Sequence, residues 1–213
     1  MWTELHAPIL ISRAVDLDPV EIRVLGCLIE KQRTTPDVYP LSLNALRAAC
    51  NQATNRDPVV DLDEATIRQA LERLHRRGWT RLASSSGSRT MKYRHLMEDA
   101  LSVPAPALSL LGVLMLRGPQ TSAELHARAE RLHRFASVGE VDGTLQELAG
   151  RGLTELLPRQ AGQRGQRWRH LLGEAAGDAG KPVTSLEQRV TDLEREVAAL
   201  RSELSRYQDP RDR

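Results

Sequence analysis

The chain has 213 residues, 30 basic against 28 acidic side chains for a net charge of +2, and 40% hydrophobic residues. That length suits one large or two small domains, and the balance of apolar and charged residues excludes a wholly disordered chain, a collagen or a disulfide-built mini-protein. The longest apolar stretch, Leu110 to Leu116, falls far short of the ~20 residues of a membrane span, and Ile9-Leu10-Ile11 is too short for a signal-peptide core, so a cytoplasmic protein is expected.

In chain order, Asp18-Pro19-Val20-Glu21 is a capping box with proline at the first helical position. It opens a helix with Ile22, Leu25, Leu28 and Ile29 among its apolar positions. Ser42 caps a second helix through Leu43, Leu46 and Ala49. Asp61-Leu62-Asp63-Glu64 is a further capping box, before a helix with Ile67, Ala70, Leu71 and Leu74 on one face. Gly78 ends that helix. Trp79–Ala83 and Thr90–Leu96 then flank a Ser- and Gly-rich hairpin tip. Pro104-Ala105-Pro106 marks a boundary. Beyond it, Leu108 to Leu116 is helical, Thr121-Ser122-Ala123-Glu124 and Ser137-Val138-Gly139-Glu140 are capping boxes, and a second hairpin tip holds Gly162 and Gly165.

The order repeats because the sequence does. At an offset of 74, Leu71, Leu74, Arg77, Gly78, Thr80 and Leu82 each meet an identical residue in the stretch 144–156. At an offset of 75, Tyr93-Arg94-His95-Leu96 meets Trp168-Arg169-His170-Leu171, and at 86, Leu25-Gly26 meets Leu111-Gly112. Three helices and a hairpin are the parts of a winged helix, a helix-turn-helix variant used both on DNA and in protein docking. The expected fold is therefore mainly α (α+β): tandem winged helices at 16–97 and 104–172, then a coiled-coil helix at 181–208.

Four runs carry a family resemblance: Gly26-Cys27-Leu28-Ile29-Glu30-Lys31-Gln32, Thr34-Thr35-Pro36, Tyr39-Pro40-Leu41-Ser42 and Ala49 through Val59. With Leu116-Arg117-Gly118-Pro119-Gln120-Thr121 and the C-terminal heptads, they make the chain resemble the YceH-like family of bacterial proteins over nearly its whole length. The resemblance implies tandem winged helices. It carries over no catalytic or binding roles.

Charge is unevenly placed. From Thr66 to Leu96 there are eight cations (Arg68, Arg73, Arg76, Arg77, Arg81, Arg89, Lys92 and Arg94) and one acid, Glu72. The helical period turns Gln69, Glu72, Arg73 and Arg76 outward, and Lys92 and Arg94 share a strand face. Arg68, Gln69, Arg73, Arg76, Arg89, Lys92 and Arg94 are the expected contacts to double-stranded DNA, through phosphates and base edges. A solvated face in an Arg-rich protein is the plainer alternative. In the second copy the third helix carries Glu140, Asp142 and Glu147, which phosphate would repel, although its hairpin is basic. The long stretch from Asn51 to Leu62 reads either as a self-packed loop or as a second contact with Arg56 as its charge.

After a linker, Leu186, Val190, Leu193, Val197, Leu200, Leu204 and Tyr207 alternate in steps of four and three. Valines at a and leucines at d favour a parallel two-stranded coil, hence a homodimer; a helix folded back on the body is the alternative. Cys27 and Cys50 are expected to be buried free thiols, and no Cys/His spacing supports a metal. Phosphate-loop, dinucleotide and nucleophile-elbow motifs are absent, and the six histidines are scattered, so neither an enzyme nor a cofactor is expected. Two readings remain: a dimeric DNA-binding protein of regulatory or architectural type, or a tandem winged-helix adaptor that docks protein partners.

Overall fold

A computed structural model describes residues 16–83, 91–159, 162–163 and 165–173. The expected capping box starts α1 (Pro19–Thr34): the Asp18 carboxylate accepts from the Val20 and Glu21 amides at 2.8 Å, and Glu21 accepts from the Asp18 amide at 3.1 Å. A 3-10 turn at Pro36–Val38 leads to β1 (Leu41–Ser42) and α2 (Leu43–Cys50), which Ser42 caps. The chain then runs through a loop to α3 (Glu64–Arg76), β2 (Thr80–Ala83) and β3 (Lys92–His95). β3 lies between β1 and β2, antiparallel to both, so the first hairpin is anchored by a third short strand.

After a short α4 (Met97–Leu101), the order recurs in α5 (Ala105–Arg117), α6 (Ser122–Ala129), α7 (Val138–Gly150), β4 (Thr154–Leu156) and β5 (Trp168–His170). A single bridge between Gln120 and Trp168 takes the place of β1. The protein is thus α+β, with two small antiparallel sheets among helices.

The repeat extends to individual hydrogen bonds. Thr80 Oγ1 donates to the Leu71 carbonyl, and Thr154 Oγ1 to that of Leu145. The Met97 amide donates to His95 Nδ1, and the Leu172 amide to His170 Nδ1. Gly78 and Gly152 both take φ near +70° (74° and 71°), the left-handed conformation that glycine adopts without a Cβ penalty. Arg77 donates to the Asp16 carbonyl and Arg151 to the Ser102 carbonyl. These repeated arginines tie the end of each third helix to the chain just ahead of its first helix.

The copies meet where α1 packs on α5. Both helices are buried nearly all round, Glu21 to Ile29 in one and Ala107 to Leu116 in the other. That explains the long apolar run: it is a central helix, buried on every side. Gly26 and Gly112, equivalent in the repeat, each lie against the opposite helix. A Cβ on Gly26 would come within 2.9 Å of Leu116 and 3.3 Å of Met115, and one on Gly112 within 2.8 Å of Ile29. Met115 and Ile29 are themselves repeat equivalents, so the two helices pack in an approximately reciprocal way. One core cluster joins residues of both copies, from Leu17 through Leu71 and Leu108 to Leu172, and a second fills the later copy around Leu114, Leu145 and Trp168. Backbone pairing of Leu17 with residues Leu172 and Gly173 closes the unit.

One helix start differs from the sequence expectation. Asp63, rather than Asp61, caps α3, accepting from the Thr66 amide at 2.7 Å. Asn51 is the cause: its side chain accepts from the Leu62 amide and donates to the Leu62 carbonyl, both at 2.9 Å, which holds residue 62 in the loop. The loop is self-packed. Arg56, far from being an outward charge, is buried, its guanidinium doubly bonded to Glu30 at 2.6 and 3.1 Å and also donating to Ala49, Asn55 and Gln52. Arg23, likewise buried, donates to the carbonyls of Cys50 and Pro58. Cys27 and Cys50 are free and buried.

Candidate nucleic-acid interface

α3 and the β2–β3 hairpin hold the cationic residues singled out by sequence. Ile67, Ala70, Leu71 and Leu74 face the core, which turns Arg68, Gln69, Glu72 and Arg76 to solvent. Arg68 forms an i,i+4 pair with Glu64 at 2.6 Å, with both side chains about half exposed. Such a pair holds by less than ~1 kcal/mol and exchanges readily for another anion.

Arg73 is placed differently. It leans across to the start of α1 and binds Asp18 at 2.5 Å and Glu21 at 3.0 Å, with Glu21 only 2% exposed. Its charge is spent on joining α3 to α1. The helical period places Arg73 on the outward half but cannot show that the acidic cap of another helix lies within reach.

The hairpin carries the sharper feature. Antiparallel register sets Arg81 opposite Arg94 and Ala83 opposite Lys92, all on one face. Arg81 and Arg94 are exposed, and Arg76, Arg81, Lys92 and Arg94 have no carboxylate within salt-bridge distance among the described residues. Like charges directly opposite on neighbouring strands are unfavourable. In the second copy the same two positions hold Glu155 and Arg169, which form an ion pair at 2.7–2.8 Å. The repeat thus keeps one architecture and changes a neutral cross-strand pair into a doubly cationic one. Arg81 was absent from the residues expected to contact DNA; the register that would have added it is legible in the sequence, since Arg81 aligns with Glu155 at the offset of 74. Arg89 lies outside the described residues.

The opposite face of the hairpin is built for attachment. The His95 amide donates to Tyr39 Oη at 2.9 Å, and His95 Nε2 lies 2.8 Å from Gln32 Oε1. Burial, reinforced by Arg33 and Arg94, pushes the His95 imidazole down to about 4, so it is neutral near pH 7. Because Nδ1 accepts from Met97, Nε2 carries the proton and donates to Gln32. Burial pushes the Tyr39 phenol up to about 12, partly offset by the His95 amide. The cationic face therefore rests on a fixed, uncharged base. Among the described residues no group of three His, Cys, Asp or Glu could hold a metal, and no helix is long and apolar enough to cross a membrane.

The fold and this face define the chain as an α+β protein made of two copies of a helical unit, one of which presents a charged hairpin. Its residues 17–163 match the model of the family described as "Protein of unknown function, DUF480", and the chain belongs to that family. It is similar to a UPF0502 protein of Dechloromonas aromatica, 50% identical over 200 residues that cover 87% of this chain and 93% of the relative. A UPF0502 protein of Mesorhizobium japonicum is 47% identical over 88% of this chain and 94% of its own. One of Pseudomonas syringae pv. tomato is 42% identical over 92% and 94%.

Proposed function

We propose that the protein is a non-enzymatic, cytoplasmic, tandem winged-helix DNA-binding protein of regulatory or architectural type, dimeric through a C-terminal coiled coil. In this reading each copy is one winged helix, with α2 and α3 as the helix-turn-helix and the β2–β3 hairpin as the wing of the first. The observation that carries it is the unneutralised Arg81–Arg94 pair with Lys92, set against the Glu155–Arg169 ion pair of the second copy. A hairpin that keeps two opposed guanidiniums favours an anionic partner that relieves them. Arg68, Gln69 and Arg76 extend the surface along α3; Arg73 acts behind it, fixing the helix. The seam residues Leu186, Val190, Leu193, Val197, Leu200 and Leu204 lie outside the described residues, and dimerisation rests on their heptad spacing.

The test is binding to random-sequence duplex DNA across salt concentrations. Counterion release predicts that log K falls linearly with log salt, by about 0.9 per phosphate neutralised. Arg81→Glu restores the second copy's ion pair. It is expected to leave the fold intact while reducing the salt slope by about 1–2 and weakening binding. Absence of duplex affinity at low salt overturns the reading. The adaptor alternative then leads, and it has its own support: Leu82 and Met91, 45% and 58% exposed, are apolar groups at the same hairpin.

A further inference from the structure

Independently of DNA, we infer that a cleft between the two copies is a binding site for a small organic anion of the phosphate-ester class. The cleft lies between the C-terminal turns of α1, α5 and α6 and the 51–62 loop, and has a volume of about 530 Å³. That is within the usual span for small-molecule sites, about 300–1,000 Å³. Its lining combines an apolar part, Val113, Leu116 and Leu132, with four cations, Lys31, Arg117, Arg128 and Arg131, and two carboxylates, Glu30 and Glu130, the latter 3.7 Å from Arg134. Most of the remaining lining residues, such as Thr34, Thr35, Gln52, Thr54 and Asn55, fall in the runs by which the sequence resembles its family.

Arg117 is the central group. It is half-buried and, among the described residues, its side chain makes no hydrogen bond or ion pair. Burial, then the like charges of Arg128 and Arg56, push its guanidinium down from the ordinary value, against smaller opposing effects of Glu30 and Asp57. A part-buried guanidinium that no carboxylate reaches within ion-pair distance among the described residues is relieved by a bound anion. The plainer account is that basic residues near these helix ends serve their carbonyls and dipoles. Those carbonyls already have other donors. Thr34 and Thr35 hydroxyls serve Glu30 and Lys31, the Thr35 amide also serves Lys31, Gly118 serves Leu114, Gln120 serves Val113, and Asp57 serves Leu116. Glu30 is held by Arg56, with Lys31 at 3.6 Å, and Arg128 is occupied by Gln120, with Glu124 at 3.7 Å. Among the described residues Arg117 and Arg131 are left with free guanidinium forks, which suit a phosphate bidentately. Gln52 keeps an uncommitted amide nitrogen, and the Thr54 and Asn55 side chains are unengaged among the described residues. The apolar part fits the body of an ester.

The test titrates isotope-labelled full-length protein with adenosine 5′-monophosphate, inorganic phosphate and adenosine, read by amide NMR. Saturable shifts at Thr54, Asn55, Leu116 and Leu132 are expected with the nucleotide, weaker ones with phosphate and none with adenosine. Phosphate binding as tightly as the nucleotide assigns the site to the bare anion; tighter nucleotide binding assigns it to the ester. Arg117→Gln is expected to lose at least about tenfold in affinity, and Arg117→Lys to retain part of it. Arg76→Gln, on the hairpin side, is expected to leave cleft binding unchanged. Thermal unfolding of each variant confirms the fold. No saturable shift with nucleotide or phosphate up to about 10 mM, or shifts indifferent to Arg117→Gln, overturns the assignment.

Discussion

His95 ties pH to stability. Its imidazole is buried, neutral, and bonded at both nitrogens. With a folded value of about 4 against an ordinary 6.5, the unfolded chain takes up a proton that the folded one refuses. The stabilisation is complete above pH 6.5 and falls as pH drops toward 4, by about 3 kcal/mol in all. Urea denaturation at steps between pH 7.5 and 4.5 is expected to show this loss, with a flatter profile for His95→Gln; parallel profiles would remove His95 as the source. Arg56 makes a second residue-scale prediction. Arg56→Ala strands the largely buried Glu30 carboxylate and the carbonyls of Ala49 and Asn55, so a loss of about 3–5 kcal/mol is expected by chemical denaturation. Arg56→Lys recovers little, because an ammonium cannot reproduce the two-pronged bond to Glu30.

At the scale of elements, the α1–α5 contact depends on two glycines that differ in what they face. Alanine in a helix interior ordinarily gains about 0.5–1 kcal/mol over glycine. At Gly26 the new Cβ meets both Cγ and Cδ2 of Leu116 at 2.9 Å and the Cβ of Met115 at 3.3 Å, so the whole Leu116 side chain must move to admit it. At Gly112 it meets the Cγ2 of Ile29, whose β-branched side chain has one favoured rotamer in a helix. Gly26→Ala and Gly112→Ala are each expected to cost about 1–3 kcal/mol, as overpacking does. Thermal melts of the two variants measure this cost; an unchanged midpoint in either would show that its neighbours repack freely. The hairpin offers the opposite case: Arg81→Glu is expected to stabilise by about 0.2–1 kcal/mol while it weakens DNA binding, a separation that simple unfolding could not produce.

For the whole molecule, two copies of one architecture carry different charge. α7 presents Glu140 and Glu147 to solvent where α3 has Thr66 and Arg73, and Gly143 and Gly150 where α3 presents Gln69 and Arg76, so the copies cannot serve the same polyanion equally. Charge reversal of the first hairpin is expected to abolish DNA binding, and reversal at Arg159 and Arg167 of the second to reduce it only modestly, measured by duplex titration at fixed salt. Deleting residues 184–213 is expected to halve the sedimenting mass. An unchanged mass would exclude the heptad seam as the dimer contact.

Local rules acting within a few residues made much of this protein legible from its sequence. Capping boxes at Asp18 and Thr121, the glycine stops at Gly78 and Gly118, and the apolar face of α3 depend only on neighbouring residues, and the structure keeps each. The repeat was also readable, because identical local solutions recur at fixed offsets. Tertiary structure decided what depends on residues far apart in the chain. It turned Arg73 to the acidic cap of α1, buried Arg56 on Glu30, moved the α3 cap to Asp63 through Asn51, and gathered a cleft from three helix ends and a loop. Periodicity shows which way a side chain points on its own helix; which partner waits there is set by the packing of the other elements.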